Sequence, residues 1–395
     1  AALERVFLIQ RHGARTPMAV VDGALDCDLP YCTLSDQGKA QCTAIGQQFA
    51  KPYADQLGIT EYDVTEMHSI STSVPRVIES AEAALTGMFP TGLPYVDFVP
   101  NTQDLQMSHW TSWPAWSMSD GWHRNTSQLN AAVLQHMNAS TLRRLGEHYN
   151  FPEGTCTDMA NAGSCASVSS DTYFCQLMQG VALPTWITDL HEQMLQVRAV
   201  TLSYINGYYP DDPQRRATGS YGYPLASAMI AALTVEPASG FRYRFIHRAA
   251  HDWTLLALYS AVGYWTPAAT ADTTFAVAFA ESLAVERHSH DDGPDTLKAY
   301  RARPGQVHSA DYSFAVDRVE VPLKCISSTG VQSTTMDTAA GCPISDVARF
   351  IETTAPTSPE AECYATEDQL RAHNCLGDDA PEAGSICAFY RENCP

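Results

Sequence analysis

Residues 11–17 read Arg-His-Gly-Ala-Arg-Thr-Pro and follow directly on the apolar run Val6-Phe7-Leu8-Ile9. A strand therefore ends at a histidine flanked by two arginines four apart. That spacing suits the seating of a dianionic phosphoryl group against an imidazole nitrogen. Arginine presents a planar, permanently charged fork that matches phosphate oxygens two at a time. A neutral imidazole with a pKa of about 6.5 is a competent nucleophile, so His12 can attack phosphorus with little further activation. Gly13 lets the backbone approach a ligand closely, and Pro17 stiffens the exit from the loop.

Holding such groups in place requires a scaffold, and the chain reads as alternating β and α units. Strand signals at Arg5–Gln10 and Asp63–Ser71 each precede a helical pattern, at Ser35–Tyr53 and Val74–Met88. In the second helix Val77, Ile78, Ala81, Ala84, Leu85 and Met88 recur at helical spacing. The strand-then-helix unit returns at Arg242–His247 and Asp252–Val262. This alternation predicts an α/β fold with a mostly parallel sheet and helices on both faces. His12 and His251 then stand just beyond the carboxyl ends of strands, where ligands bind in open α/β sheets. Asp252 opens the helix that follows. It is a favoured N-cap residue, and a helix N-terminus also suits an anionic ligand, so the two roles are compatible.

Between these halves lies a different segment. Residues 101–240 hold Trp110, Trp113, Trp116, Trp122 and Trp186 and a long helical pattern from Pro184 to Tyr204, followed by a loop-like stretch at Gly207–Pro224. This span is expected to be a mainly helical cap, inserted into a discontinuous catalytic domain formed by residues 1–100 and 241–395. Its tryptophans read as core. Thr274–Val285 and Leu297–Arg303 read as a hairpin added to the sheet. Residues 325–395 form a Thr-, Ser-, Ala- and Pro-rich tail with spaced cysteines, read as a disulfide-stapled region wrapped on the core.

The composition fits an exported protein. Lys and Arg total 24 against 44 Asp and Glu, for a formal net charge of −20. Such a balance argues against nucleic acid or an anionic membrane as partner. A phosphate pocket must then be a local basic island in a repulsive field. No run of about 18 apolar residues occurs, so no membrane-spanning segment is read. Twelve cysteines, an even number, point to disulfides and an oxidising compartment. They fall into two sets, Cys27 to Cys175 and Cys325 to Cys394, with pairing expected inside each. Asn125 and Asn138 head glycosylation sequons. No metal site is read. His247 and His251 stand four apart, but His247 belongs to a strand and the glutamate of the zinc-protease pattern is missing. The cluster His288-Ser289-His290-Asp291-Asp292 beside Gly293-Pro294 reads as a solvated hairpin tip.

The heptapeptide resembles the RHGxRxP signature of the histidine acid phosphatases, within the histidine phosphatase superfamily. Leu34-Ser35-Asp36-Gln37-Gly38-Lys39-Ala40-Gln41 is similar to the family's helix start. Ser71-Thr72-Ser73-Val74-Pro75-Arg76, with Ser80-Ala81 and Phe89-Pro90, resembles the segment that supplies a third phosphate-binding arginine, and Ala249-Ala250-His251-Asp252 resembles the late His-Asp pair. The likeness covers residues 5–90 and 242–262. The chain departs from the family at Ser73 and Pro75, where aspartates are usual. That removes the pairing those aspartates would give Arg76.

The resemblance implies that Arg11, Arg15, Arg76 and His251 hold the phosphoryl oxygens and that His12 forms a phosphohistidine. Asp252, protonated, then gives a proton to the departing alkoxide and later acts as base toward water. No cofactor is implied, since arginines supply the positive charge. A free aspartate has a pKa of about 3.9, so this role favours acidic working pH. The implied substrates are small phosphate monoesters or phosphorylated protein side chains, and a homodimer is left open. Two alternatives stand beside this one. A histidine-type phytase shares the core motifs, but residues 18–60 hold only Lys39 and Lys51 as basic residues and the arginines of the cap, among them Arg198, are scattered. A secreted binding protein that has lost activity on the same fold would draw on the changes at Ser73 and Pro75. A mutase-like relative is disfavoured by the Arg-Thr-Pro ending, the His-Asp pair and the cysteines. The expected location is extracellular or lysosome-like, as a mature form freed of its leader, with an anchored ectodomain left open.

Overall fold

The computed structural model describes residues 1–21, 24–27, 30–100, 104–109, 127–237, 240–305 and 315–357, with isolated positions between 371 and 391. Trp110, Trp113, Trp116, Trp122, Asn125, Cys363 and Cys394 lie outside the described residues.

The first half of the chain supplies β1 (Ala2–Arg11), α1 (Asp36–Leu57), β2 (Met67–Thr72), α2 (Pro75–Met88) and the short strand β3 (Asp97–Val99). Helices α3 (Ser127–His136), α4 (Ala139–His148), α5 (Ala162–Met178), α6 (His191–Asn206) and α7 (Tyr223–Thr234) follow. The chain then returns with β4 (Phe245–Ala250), α8 (Asp252–Ala261), β5 (Ser282–Ser289), β6 (Thr296–Pro304), β7 (Val316–Glu320) and α9 (Ile344–Glu352). The main sheet runs β6-β5-β1-β4-β2-β3. β1, β4, β2 and β3 are mutually parallel, while β5, β6 and β7 add an antiparallel meander on the other side of β1.

β1 is central because it can be buried on both faces. Val6 and Leu8 pack with Ile45, Phe49 and Tyr53 of α1 and Leu85 of α2. Phe7 and Ile9 pack on the opposite face with Leu225, Met229 and Leu233 of α7, Leu255 and Leu256 of α8, and Val347 and Ile351 of α9. Each such side chain contributes about 1.5–3 kcal/mol on leaving water. Helices thus cover both faces of the sheet, as the alternating pattern required. α7 lies inside the span read as cap, yet its apolar face rests on the sheet.

The elements differ from expectation in ways with local causes. Asp63–Glu66 is a turn: Asp63 Oδ1 accepts from Thr65 N–H at 2.8 Å, so β2 begins only at Met67. β4 starts at Phe245 rather than Arg242 and runs on to Ala250. The pattern at Pro184–Tyr204 divides into a short helix, Thr185–Thr188, and α6. The expected tail of loops contains α9, with Val347 and Ile351 buried. The stretch Thr274–Glu281 is a 3-10 turn (Thr273–Phe275) followed by a loop, not the start of the hairpin; Val277 and Ala280 adopt left-handed φ values of 43° and 56° there, which interrupts a strand.

Four disulfides join described cysteines, Cys27–Cys32, Cys156–Cys165, Cys325–Cys342 and Cys375–Cys387, all within the two expected sets. Cys42 and Cys175 are buried free thiols, so pairing is not complete within the first set. Among the described residues no helix is long and apolar enough to cross a membrane.

Candidate active site

Parallel register brings the distant motifs together. Arg11 is the partner of Ala250 across β1 and β4, and Ser71 of β2 is level with Ala249. The three strands therefore end on one edge, and the next residues meet there. His12 N–H donates to Ala250 O at 3.1 Å, and the His12 and His251 rings lie edge to face with centroids 5.6 Å apart. Thr72, the last residue of β2, places Oγ1 3.1 Å from His251 Nε2. Arg76 enters from the first turn of α2, just beyond the same edge.

The loop after β1 is held by short-range contacts that need small residues. A Cβ on Gly13 would collide with the backbone of Gly38 at the start of α1, and one on Gly38 with Ala14 O. Gly13 thus serves close packing of loop against helix. Gly13 N–H donates to Ser80 Oγ at 3.0 Å, and that hydroxyl donates to Arg76 O at 2.6 Å. Ser80 of the family-like Ser-Ala pair ties the arginine-bearing turn of α2 to the histidine loop.

His12 is buried and its tautomer is set by geometry. Nδ1 lies 2.8 Å from Gly13 O, so Nδ1 carries the proton and donates, leaving the Nε2 lone pair as nucleophile. Burial first, then the charges of Arg76, Arg11 and Arg15, push its pKa well below the ordinary value. That shift favours the neutral imidazole at pH values below the ordinary pKa of about 6.5. His251 is held neutral by the same causes, with burial the largest and Arg76 next.

The arginines are buried and incompletely partnered. Arg11 Nη1 donates to Val277 O at 2.7 Å, its Cζ sits 4.1 Å above the Phe279 ring, and Nη2 is 3.1 Å from Asp252 Oδ2. Arg15 makes a two-point contact with Asp171 on α5, at 2.7 and 3.2 Å. Arg11 Nε, Arg15 Nε and Arg76 Nε are all buried without a hydrogen-bond partner. Orphaned charged donors of this kind are costly unless a ligand completes them. Burial lowers Arg11 to about 10 and Arg76 to about 9, so both remain cations at any acidic pH.

Asp252 is also held as a carboxylate. Its Oδ2 accepts from Arg198 Nη2 at 2.5 Å and faces Arg11, while Oδ1 accepts its neighbour Trp253 N–H at 3.0 Å. Burial raises its pKa, but Arg11, Arg198 and Arg15 outweigh that and hold it below the usual carboxylate range. The protonated Asp252 of the expected reaction is therefore not the resting form.

Sequence reading missed Asp171, Arg198, Phe279 and Glu281. Arg198 and Asp171 did leave a signal: each is a charge on the buried face of a helix, among Met194, Val197, Thr201 and Leu202 or Val168, Ser169 and Thr172. Arg198 is not scattered but part of the site. Glu281 is fully buried and organises the 274–281 loop, accepting from Tyr259 Oη at 2.8 Å, Ala278 N–H at 2.8 Å and Arg303 Nε at 2.7 Å. His247 is a satisfied core histidine, with Nδ1 2.8 Å from Ser69 Oγ and Nε2 3.0 Å from Gln10 Oε1. At the β5–β6 tip His288 pairs with Glu286 at 3.0 Å and His290 with Thr296 Oγ1 at 2.9 Å.

Comparison with known proteins agrees with this reading. The model of the histidine phosphatase superfamily, branch 2, matches residues 24–296. The heptapeptide lies just ahead of that span and is assigned by its own geometry. Human testicular acid phosphatase is 26% identical over 380 residues, 90% of this chain and 80% of the relative. Human lysosomal acid phosphatase is 23% identical over 381 residues, 92% and 80% of the two chains. The fold is similar to the phytase of Citrobacter braakii, with a TM-score of 0.62 at 18% identity, covering 93% of this chain and all of that one. A phytase of Klebsiella sp. gives 0.60 at 15% identity, covering 92% and 100%. The family model spans more than half of the chain and includes the His251-Asp252 pair, and so the chain belongs to branch 2 of the histidine phosphatase superfamily.

Proposed function

We propose that this chain is an acid phosphatase that hydrolyses phosphate monoesters through a phosphohistidine on His12. One observation carries the reading: the buried Nε donors of Arg11, Arg15 and Arg76 are unpartnered, and all three guanidinium charges act on His12, whose Nδ1 is engaged by Gly13 O so that Nε2 is left as the nucleophile. The local charge also fits. Arg11, Arg15, Arg76 and Arg198 oppose Asp171 and Asp252, a surplus of two positive charges that complements an anionic phosphoryl group within a chain of net charge −20.

Phosphoryl oxygens take the orphaned donors, His12 Nε2 attacks in line, and Asp252 protonates the leaving oxygen. Water then cleaves the phosphohistidine with Asp252 as base. His251 lies beside His12, where it adds to the phosphate contacts. The main chain at Arg76, in a segment without family-like aspartates at 73 and 75, is tied to the histidine loop through Ser80.

A cavity of about 400 Å³ opens beside the site, between Phe174, Met178 and Leu195 of the cap helices and Arg11, Arg198 and Arg303. It fits small, partly apolar leaving groups, including phosphorylated protein side chains. Cap arginines away from the site are used internally: Arg144 stacks 3.8 Å above Trp186, and Arg215 bonds Gly207 O at 2.8 Å. That favours simple monoesters over a highly phosphorylated substrate. The cap is best taken as α3 to α6, since α7 rests on the sheet. The disulfides support a secreted or lysosomal location.

The test is hydrolysis of an aryl phosphate across acid and neutral pH with EDTA present. Activity is expected in acid and indifferent to EDTA; a folded but inactive protein would count against the reading. Asp252→Asn keeps the carboxamide in place but removes the proton donor. It is expected to slow an alkyl phosphate by about 10²–10⁴-fold and an aryl phosphate, with its better leaving group, much less. Equal losses on both substrates would remove Asp252 from the acid role.

A further inference from the structure

Arg198 reaches the site from α6, on the cap, and is itself buried. Its guanidinium bridges two parts of the catalytic edge: Nε donates to Ala276 O at 3.0 Å and Nη2 to Asp252 Oδ2 at 2.5 Å. The charged groups that face Asp252 are Arg11 on β1, Arg15 in the next loop, Arg76 on α2 and Arg198 on α6. His12 and His251 beside it are neutral, and Asp171 on α5 is occupied by Arg15. Phosphoryl oxygens compete for Arg11, but Arg198 is tied to Ala276 and remains with the carboxylate.

We propose that Arg198 is a positioning residue that holds Asp252 Oδ2 as a carboxylate before substrate binds, so that the proton for the leaving group enters with a phosphate monoester monoanion. This rests on the phosphohistidine reading above. A monoester has a second pKa of about 6, so in acid it arrives carrying one proton. As its oxygens engage Arg11, Arg15 and Arg76, their charges acidify the phosphoryl hydroxyl, and Arg11 loosens from Asp252. The proton passes to Asp252. The Nε2–P bond then forms as the P–O ester bond breaks, and the ester electron pair leaves on oxygen, which takes that proton. Monoanion plus carboxylate become a singly charged phosphohistidine, a carboxylate and a neutral alcohol, so charge is conserved. In the second half Asp252 takes a proton from the attacking water, the hydroxyl joins phosphorus as the N–P bond breaks, and the proton departs with inorganic phosphate as its monoanion. Acid preference thus comes from the substrate's proton, with the ionised Asp252 required to receive it.

The test is kcat/KM from about pH 3 to 8, which reports ionisations of free enzyme and free substrate. Wild type, Arg198→Met and Arg198→Lys are compared on monoesters of different second pKa. In the wild type the falling limb at high pH should track each substrate's own second pKa, with little loss toward low pH. Losing one close positive charge raises the carboxyl by about one to two units, so Arg198→Met should gain an acid limb displaced upward by that amount. Arg198→Lys keeps the charge and should restore the wild-type acid limb while lowering kcat, because an ammonium cannot replace the planar two-point bridge. A uniform loss in Arg198→Met with unchanged profile shape overturns the role of Arg198. A falling limb at the same pH for every substrate overturns the monoanion route, and that readout needs only the wild type. A wild type inactive on all of them overturns the phosphatase reading itself, a separate and recognisable failure.

Discussion

Replacing His12 with alanine is expected to lower kcat on the order of a millionfold, the scale on which loss of a covalent nucleophile registers. Binding should survive, because Arg11, Arg15, Arg76 and His251 do not depend on the imidazole for their positions. Arg11 is fixed by Val277 O and Phe279, and Arg15 by Asp171. Inorganic phosphate should therefore still inhibit or bind the variant with nearly wild-type affinity. The direct measurement is rapid acid-free quenching with a radiolabelled phosphate ester. Label should enter the wild-type protein as a base-stable, acid-labile adduct and be absent from His12→Ala. Covalent label retained by the variant at wild-type levels would move the nucleophile elsewhere.

Glu281→Ala is expected to be the most damaging change outside the reacting groups. The carboxylate is fully buried and accepts three hydrogen bonds, one from the Arg303 guanidinium. Removing one partner of a buried ion pair costs about 3–5 kcal/mol; Arg303 retains some exposure, which favours the lower end. A loss near 3 kcal/mol lowers the melting temperature by on the order of 5 °C in a chain this long. Activity should fall further than stability does. The loop that Glu281 braces holds Val277 and Ala280 in left-handed conformations, each costing about 1–2 kcal/mol. Released, it withdraws the carbonyls of Ala276 and Val277 from Arg198 and Arg11. Glu281→Gln is the milder companion. Its amide nitrogen can donate to the Tyr259 hydroxyl while the oxygen keeps the other two donors. Calorimetry showing an unchanged melting temperature in Glu281→Ala would end this account of the loop.

The motifs at 11–17, 71–81 and 249–252 were legible because their chemistry is local. Each is a short run at a strand end, where residue types and neighbours alone define what can be bound. The α/β architecture was legible for a related reason: apolar runs and helical periods are one-dimensional patterns, and parallel βα units close into a sheet in few ways. The hairpin at 274–303 was misjudged at its start, because the backbone turns at Val277 and Ala280 come from Glu281 and Arg303, whose partners lie on other strands and helices.

By itself, the sequence determined the Arg-His-Gly-Ala-Arg-Thr-Pro motif at a strand end, the late His-Asp pair, the acidic composition and the class of fold. Only the tertiary structure decided the protonation of the site and its second layer. The neutral His12, the ionised Asp252 and the roles of Asp171, Arg198 and Glu281 all depend on burial and on charges brought within about 3 Å from distant segments. Coulomb energy follows distance in space and the surrounding dielectric, and neither quantity is written in the order of residues along the chain.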